Sequence, residues 1–280
     1  MSEPTDEYRE RGSTSLDLDR LLAVAIDAAR SAGGIVRDAF GAPPNVREKR
    51  PADLVTDTDF ASERSIRDAL AEAEPGLAFF GEEEGGERAD VGWFVDPLDG
   101  TANFVHGFPV VGMSIALVEH GAPVLGVVHA PILGDLYAAR LGGGAFHNGA
   151  PVRVSARPLA SAMCATGFPF RAKAERLPEY FPVFERALRD EFEDLRRAGA
   201  ASLDLAYTAA GVFDGYFEQQ LGTWDVAAGG LIVREAGGVV TDWRGDDRAW
   251  LWSGDIVAGP PTLHARILEI VRHASGAANG

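Results

Sequence analysis

The sequence contains very few residues of two kinds, cysteine and lysine. Of its 280 residues, one is a cysteine, Cys164, and two are lysines, Lys49 and Lys173. A lone cysteine cannot form an internal disulfide. The six histidines follow no zinc-binding spacing. The sequence therefore indicates neither a disulfide framework nor a zinc site.

Long apolar runs and a positive net charge are also missing. No uninterrupted apolar stretch reaches the length of a membrane span, and the first residues lack the basic-then-apolar pattern of a signal peptide. The formal net charge is -16, whereas binding to a phosphate backbone requires a basic surface. We therefore expect a cytoplasmic protein with no membrane partner and no nucleic acid as its principal partner.

Several catalytic motifs are absent as well. No Gly-Lys pair occurs, which excludes a P-loop, and the acidic run at 57–59 lacks the next ligand and the glycine of a calcium loop. Residues 112–116, Gly-Met-Ser-Ile-Ala, resemble a nucleophile elbow, but the fifth position is alanine and the pattern continues as a strand. A serine hydrolase that uses Ser114 stays open as a remote alternative.

The residues that are present predict a large folded unit with two halves. Hydrophobic residues make up 46% of the chain, which is enough for a sizeable core. Alternating segments at 110–118, 124–129 and 136–140 predict an antiparallel meander. Apolar periodicity predicts helices at 18–29, 60–73, 177–191, 204–210, 225–235 and 262–273. We expect an α+β half at 15–155, an α/β half at 156–275, and flexible tails at 1–14 and 276–280.

The most informative stretch is WFVDPLDGT at 93–101. An apolar strand ends in Asp96 and Asp99, and Pro97 between them lacks the N–H that a sheet ladder needs. Ligands bind at the carboxyl ends of strands in α/β folds, so both carboxylates can face one cation there. For this motif alone, a strand-to-turn corner in which the aspartates accept hydrogen bonds from local amides is the simpler interpretation.

Other acidic residues follow a similar plan. Asp59 precedes a helical pattern, Glu82 follows a glycine after an apolar strand, and Asp225 opens another helical run. Taken alone, an aspartate at 225 would be a helix N-cap, and Glu83 and Glu84 would be solvated loop acids. Oxygen-only ligands of this kind suit a hard cation such as Mg²⁺.

Five groups of motifs occur along the chain: DLVTDTD at 53–59, GEE at 81–83, WFVDPLDGTANFVHGFP at 93–109, GGAFHNG at 143–149, and WDVAAG with EAGG at 224–229 and 235–238. Together they resemble the inositol monophosphatase family, within the metal-dependent, lithium-sensitive sugar phosphatases. They occur in the family's order between about residues 18 and 268. The resemblance implies a layered αβαβα sandwich, phosphomonoesterase activity and a homodimer.

The resemblance also implies a set of metal ligands for two or three Mg²⁺ ions. The first ion would be held by Glu82, Asp96 and the carbonyl of Leu98. The second would be held by Asp96, Asp99 and Asp225. A third, weaker ion would lie near Glu82, mostly on water.

The catalytic roles that the resemblance implies belong to Glu82, Thr101 and Asp59. Water activated by metal would attack the phosphate in line, without a covalent enzyme intermediate. Glu82 and the Thr101 hydroxyl would orient and deprotonate this water, and Asp59 would hydrogen-bond Thr101. Thr101 is thus expected to be a positioning group and not the nucleophile.

The expected substrate is myo-inositol 1-phosphate. The segment at 103–109 is similar to the inositol monophosphatase branch, and Glu218 matches the acid that binds polyol hydroxyls. The sequence departs from many relatives at Ala200, where they have Ser or Thr before Ala201. Substrate contacts are implied for Asp99, Gly100, Thr101, Ala201, Glu218 and Asp225.

Other functions stay open beside this one. Within the superfamily, the alternatives are phosphatases of histidinol phosphate, of 3'(2'),5'-bisphosphate nucleotides and of fructose 1,6-bisphosphate, which usually differ after the DGT motif. A non-catalytic binding role is a further alternative, because some relatives act as partners of the transcription machinery.

Overall fold

The computed structural model describes residues 16–42, 45–50, 53–86, 88–168 and 173–277. The tail predicted at 1–14 lies outside the described residues, as do residues 278–280 of the second predicted tail. The backbone of residues 276 and 277 belongs to the last helix.

The described helices alternate with short strands. The helices are α1 (Leu18–Ala39), α2 (Asp57–Ala73), α3 (Thr101–Val105), α4 (Lys173–Arg186), α5 (Ala201–Ala209), α6 (Thr223–Glu235), α7 (Trp250–Ser253) and α8 (Pro261–Ala277). The strands are β1 (Val46–Arg50), β2 (Asp53–Thr56), β3 (Ala78–Gly81), β4 (Gly85–Gly86), β5 (Val91–Asp99), β6 (Gly112–Glu119), β7 (Ala122–Ala130), β8 (Asp135–Arg140), β9 (Gly144–His147), β10 (Ala150–Val152), β11 (Met163–Thr166), β12 (Asp194–Arg196), β13 (Gly215–Glu218), β14 (Val239–Thr241) and β15 (Ile256–Gly259).

Two large sheets organise the described chain. The first has eight strands in the order β10-β9-β8-β7-β6-β5-β3-β4, and the second has five in the order β12-β11-β13-β15-β14. Strands β5 to β8 pair antiparallel in sequence order, which confirms the predicted meander. The pair β3 and β5 is parallel. This parallel pair brings two strand ends to one edge of the first sheet.

The helices and sheets form five layers. Helices α1 and α2 pack on one face of the eight-stranded sheet, and α5 and α6 lie between the two sheets. Helices α4 and α8 contact each other, and α8 packs on the five-stranded sheet. Three buried apolar clusters fill the spaces between these layers. The architecture is the αβαβα sandwich that the resemblance implies.

Several helix boundaries differ from the prediction. The helix predicted at 60–73 begins at Asp57, because the Thr56 hydroxyl accepts a hydrogen bond from the Thr58 amide and Asp59 completes a capping box. The helix predicted at 177–191 ends as α4 at Arg186, and a π-helical turn follows at Ala187–Glu191. The helix predicted at 225–235 begins at Thr223.

Candidate active site

Two strand ends bring Glu82 and Asp96 together. Strand β3 runs parallel to β5 with Gly81 opposite Val95. The ladder continues one step further, because the Glu82 amide donates to the Val95 carbonyl at 3.0 Å. The next residue in each strand is an acid, so both carboxylates lie at the same edge of the sheet.

Asp96 and Asp99 reach the same cavity through an irregularity in β5. The two acids were expected at the end of the strand, and β5 indeed includes both, since it continues to Asp99. Asp96 pairs with Ser114 and Asp99 with Gly112, so two residues of β5 oppose one of β6. An inserted residue of this kind is a β-bulge. In a regular strand, side chains three positions apart point to opposite faces of the sheet. The bulge allows Asp96 and Asp99, which are three positions apart, to line the same cavity.

The third acidic residue of the cluster comes from α6. Asp225 is the third residue of this helix, not its N-cap, and its Oδ2 accepts the Gly222 amide at 2.6 Å. Among the described residues, carboxylate oxygens of Glu82, Asp96 and Asp225 lie within 4.8 Å of one another. Such a group of oxygens could hold a metal ion.

The carboxylates of this cluster are buried and close together, so negative charge on all of them is unfavourable. Burial, together with the charges of Glu82, Asp99 and Asp225, raises the pKa of Asp96 well above its usual range. Burial also raises the pKa of Asp99 to about 6, although hydrogen bonds from Ser202 oppose this shift. A hard divalent cation would compensate such charge, and oxygen donors are those that Mg²⁺ prefers. The residues present therefore fit the metal that the resemblance implies.

Asp59, Leu98 and Thr101 form a hydrogen-bonded group beside the acids. The Thr101 hydroxyl lies 3.0 Å from Asp59 Oδ1 and 3.2 Å from the Leu98 carbonyl oxygen, and its single hydrogen can be donated to only one of them at a time. Asp59 Oδ2 accepts from both the amide and the hydroxyl of Thr56. Burial raises the pKa of Asp59, against the effect of these hydrogen bonds. Asp59 thus fixes the orientation of the Thr101 hydroxyl.

A cavity of about 290 Å³ connects the acids with the predicted substrate residues. Arg197 brings a positive charge to its wall, and sequence analysis did not identify this residue. The cavity is lined by Leu54, Glu82, Asp96, Leu98, Asp99, Gly100, Thr101, Ala102, Asn103, Gly167, Arg197, Gly199, Ala201, Glu218, Leu221 and Asp225. Of the predicted site residues, Asp59 is the one that does not line the cavity, because it lies behind Thr101.

Glu218 is held by two neighbours on the wall of the cavity. The Tyr216 hydroxyl donates to Glu218 Oε2 at 2.6 Å. Gly167 packs so closely that a Cβ atom there would lie 1.9 Å from Glu218 Oε1. The absence of a side chain at 167 therefore makes room for the Glu218 carboxylate.

The acids that follow Glu82 are not equivalent. The Glu83 side chain is only 2% exposed and pairs with Lys49 Nζ at 2.8 Å, so its prediction as a solvated acid is wrong. Burial and the charge of Glu82 raise the pKa of Glu83 to about 7, although Lys49 opposes the shift. Glu84 is exposed and pairs with Arg67. The chain folds Glu83 inward because Glu63 binds the backbone of this turn.

Ser114 does not have the surroundings of a nucleophile. It lies inside β6, is fully buried, and donates its hydroxyl to the Trp224 carbonyl at 2.7 Å. A nucleophile elbow requires a sharp turn from a strand into a helix. The serine hydrolase alternative therefore has no support in this geometry.

Besides Arg197, three further residues near the site were missed by sequence analysis. Glu63 could have been found, because it lies four positions after Asp59 on the same face of a predicted helix. Tyr216 alternates with Glu218 on one face of β13 and gave a weaker signal. Ser202 gave none, because its contact with Asp99 joins residues 103 positions apart.

Comparison with known sequences identifies the family that the motifs of this chain resemble. The sequence profile of the inositol monophosphatase family matches residues 17–275. The Nus factor SuhB of Pseudomonas aeruginosa is 45% identical over 261 residues, which are 90% of this chain and 96% of that relative. An inositol-1-monophosphatase of Rhizobium meliloti is 42% identical over 262 residues, which are 90% of this chain and 96% of that protein.

The fold of this chain is also similar to solved structures. The extragenic suppressor protein suhB of Bartonella henselae superposes with a TM-score of 0.85 at 38% identity, and the match covers 90% of this chain and 98% of that one. The chain belongs to the inositol monophosphatase family. Within the described part of the chain, no helix combines the length and apolar character needed to cross a membrane.

Proposed function

We propose that this chain is a Mg²⁺-dependent phosphomonoesterase and that myo-inositol 1-phosphate is its substrate. The observation that carries the proposal is the cluster of Glu82, Asp96 and Asp225, whose oxygens lie within 4.8 Å of one another in the same cavity as Glu218. The same cavity thus offers acids that suit metal and phosphate and a further carboxylate that suits polyol hydroxyls. The relative named inositol-1-monophosphatase is consistent with this assignment.

The metal ligands would be the carboxylates of Glu82, Asp96, Asp99 and Asp225 with the carbonyl of Leu98. When bound, Mg²⁺ would supply charge neutralisation and would lower the pKa of water. A site with these ligands accommodates two or three ions if the phosphate dianion completes the charge balance.

Residues of the chain would orient the attacking water. Asp59 accepts the Thr101 hydroxyl hydrogen, so the lone pairs of that hydroxyl are left to accept a hydrogen bond from water. Glu82 would accept the proton as general base. The backbone amides of Gly100 and Thr101, which line the cavity, would donate to phosphate oxygens, and Ala201 would contact the substrate through its backbone.

A second candidate function follows from the names of other relatives. The Pseudomonas aeruginosa relative, at 45% identity, is called a Nus factor. A non-catalytic role of that kind is the second candidate function for this chain. Phosphatases acting on histidinol phosphate, 3'(2'),5'-bisphosphate nucleotides or fructose 1,6-bisphosphate remain the enzymatic alternatives.

The test is phosphate release by the purified chain before and after chelation. We expect hydrolysis of inositol 1-phosphate that EDTA abolishes and added Mg²⁺ restores. The variant Asp96→Asn should lose at least about a hundredfold in kcat/KM, because it removes a carboxylate that would hold the metal.

Two controls accompany this test. Histidinol phosphate, a 3'(2'),5'-bisphosphate nucleotide and fructose 1,6-bisphosphate should be hydrolysed more slowly. Turnover that survives EDTA, or that Asp96→Asn retains, would exclude the metal mechanism. Absence of turnover on every phosphate, with a folded chain, would favour the binding role. The homodimer, the cytoplasmic location and inhibition by Li⁺ belong to the same proposal.

A further inference from the structure

Glu63 lies beside the turn that carries Glu82, and the proposed reaction does not use it. It belongs to α2 and is fully buried. Its Oε2 accepts the Glu83 amide at 2.8 Å, and its Oε1 accepts the Glu84 amide at 2.9 Å. A buried carboxylate is stable only when it is hydrogen-bonded in this way. One side chain therefore binds two successive amides of the turn.

The residue before Glu82 also contacts Glu63. A Cβ atom on Gly81 would lie 2.4 Å from the Glu63 carboxylate carbon, so a side chain at 81 would displace this group. Both neighbours of Glu82 in the chain, Gly81 and Glu83, thus contact Glu63. The Glu82 amide itself is bound to the Val95 carbonyl.

Arg67 completes the arrangement from the next turn of α2. Its guanidinium lies 3.0 Å from Glu63 Oε1 and 3.0 Å from Glu84 Oε2. Asp59, Glu63 and Arg67 are four positions apart, so they share one face of the helix. This face holds Thr101 through Asp59 and the acidic turn through Glu63.

We propose that Glu63 is a positioning residue that fixes the backbone of residues 81–84 and thereby the direction of the Glu82 carboxylate. The inference rests on the proposed function, in which Glu82 is a metal ligand. Groups that hold a metal ligand in place typically contribute tenfold to a hundredfold to metal affinity. A role confined to anchoring α2 would lower stability and leave metal affinity unchanged.

The variant that tests this inference is Glu63→Gln. The amide oxygen of glutamine can accept one of the two backbone hydrogens, but its NH₂ group repels the other. We expect Mn²⁺ to bind the metal-free variant about tenfold more weakly than the wild type, measured by the electron paramagnetic resonance signal of free Mn²⁺. The control is Ile66→Val, a buried change on the same helix, which should leave Mn²⁺ affinity unchanged.

A second variant keeps the test decisive if Glu63→Gln does not fold. Gly81→Ala displaces the Glu63 carboxylate from the opposite side and should weaken Mn²⁺ binding as well. The inference is wrong if a folded Glu63→Gln or Gly81→Ala variant binds Mn²⁺ as tightly as the wild type. It is also wrong if Ile66→Val loses as much affinity as these variants. Neither outcome affects the proposed function. A wild-type chain that binds no Mn²⁺ overturns the metal site of the proposed function, and the inference with it.

Discussion

At the scale of single residues, the substrate assignment depends on Glu218. Glu218 lines the cavity, and in the proposed function its carboxylate would accept hydrogen bonds from ring hydroxyls while the acidic cluster would hold the metal that binds phosphate. The Tyr216 hydroxyl holds one of its oxygens at 2.6 Å. The proposed function therefore assigns polyol recognition to Glu218 and phosphate chemistry to the acidic cluster.

We expect Glu218→Gln to lower kcat/KM for inositol 1-phosphate by about five- to thirtyfold, which is the usual effect of losing a charged hydrogen bond. Tyr216→Phe should act in the same direction with a smaller loss, because it removes only the group that orients Glu218. Steady-state kinetics on inositol 1-phosphate and on an aryl phosphate, which lacks ring hydroxyls, measure both effects. Aryl phosphate turnover should remain at the wild-type level in both variants.

A further variant tests the position of the Glu218 carboxylate through its neighbour Gly167. Gly167→Ala would bring a methyl group to within 2.1 Å of both Glu218 carboxylate oxygens, so Glu218 must move. It should therefore reproduce the selective loss on inositol 1-phosphate. Equal losses on both substrates would mean that Glu218 supports the metal site or the fold, and the inositol assignment would lose its residue-level support.

At the scale of elements, helix α5 and Asp99 stabilise each other. The N-cap of α5 is Ala200, which has no side-chain acceptor for the first amides of the helix. Asp99 Oδ2 takes this role, because it accepts the Ser202 amide at 2.7 Å and the Ser202 hydroxyl at 2.5 Å. A carboxylate is favourable at a helix N-terminus. The departure at Ala200 is therefore compensated by an acid of the candidate metal site.

The variant Ser202→Ala should weaken Mg²⁺ binding more at pH 6 than at pH 8. The hydroxyl lowers the pKa of Asp99 against the effect of burial, so its loss raises this pKa further above about 6. Protons then compete with Mg²⁺ at pH 6 but not at pH 8. We expect about a tenfold loss at pH 6, because a hydrogen bond to a charged group contributes about 1.5–3 kcal/mol.

Titration calorimetry at the two pH values measures this difference. The control is Thr208→Val, which removes another buried hydroxyl of α5 that bonds within the helix, to the Asp204 carbonyl. It should change neither affinity. A loss for Ser202→Ala that is the same at both pH values would contradict the role assigned to the hydroxyl.

The elements show what the sequence could predict. The meander and the order of helices follow from periodicity, and the acids at strand ends follow from the motifs at 81–83 and 93–101. The bulge in β5 could not be predicted, because it depends on pairing with β6. The burial of Glu83 was missed for a similar reason, since its partner Lys49 lies 34 positions away. Tertiary contacts of this kind leave no local pattern.

At the scale of the whole molecule, the charge of the site opposes folding when metal is absent. The chain has a net charge of -16, and its buried acids repel one another. The folded metal-free chain holds Asp96 at a pKa well above the unfolded value, so it binds more protons than the unfolded chain. This contribution to stability is present at low pH and is lost as the pH rises from about 4 through the raised pKa.

The same variant that removes activity should therefore stabilise the metal-free protein. In Asp96→Asn, the amide oxygen can still accept the Leu98 amide, which now lies 2.9 Å from Asp96 Oδ1, while the buried charge is gone. At pH 7 without metal we expect the variant to unfold at a higher temperature than the wild type, because the raised pKa of Asp96 makes the folded wild type less stable as the pH rises.

Thermal unfolding of both proteins at pH 4 and pH 7, with EDTA or with Mg²⁺, measures this effect. The advantage of the variant should be small at pH 4, where Asp96 is protonated in the folded state and about half protonated in the unfolded chain. Saturating Mg²⁺ should reverse the order at pH 7, because binding to the folded state stabilises the wild type and not the variant. A metal-free variant that is less stable than the wild type at pH 7 would mean that the acids are already compensated by the chain's own cations. The cluster would then be an ion-pair network and not a site that requires metal.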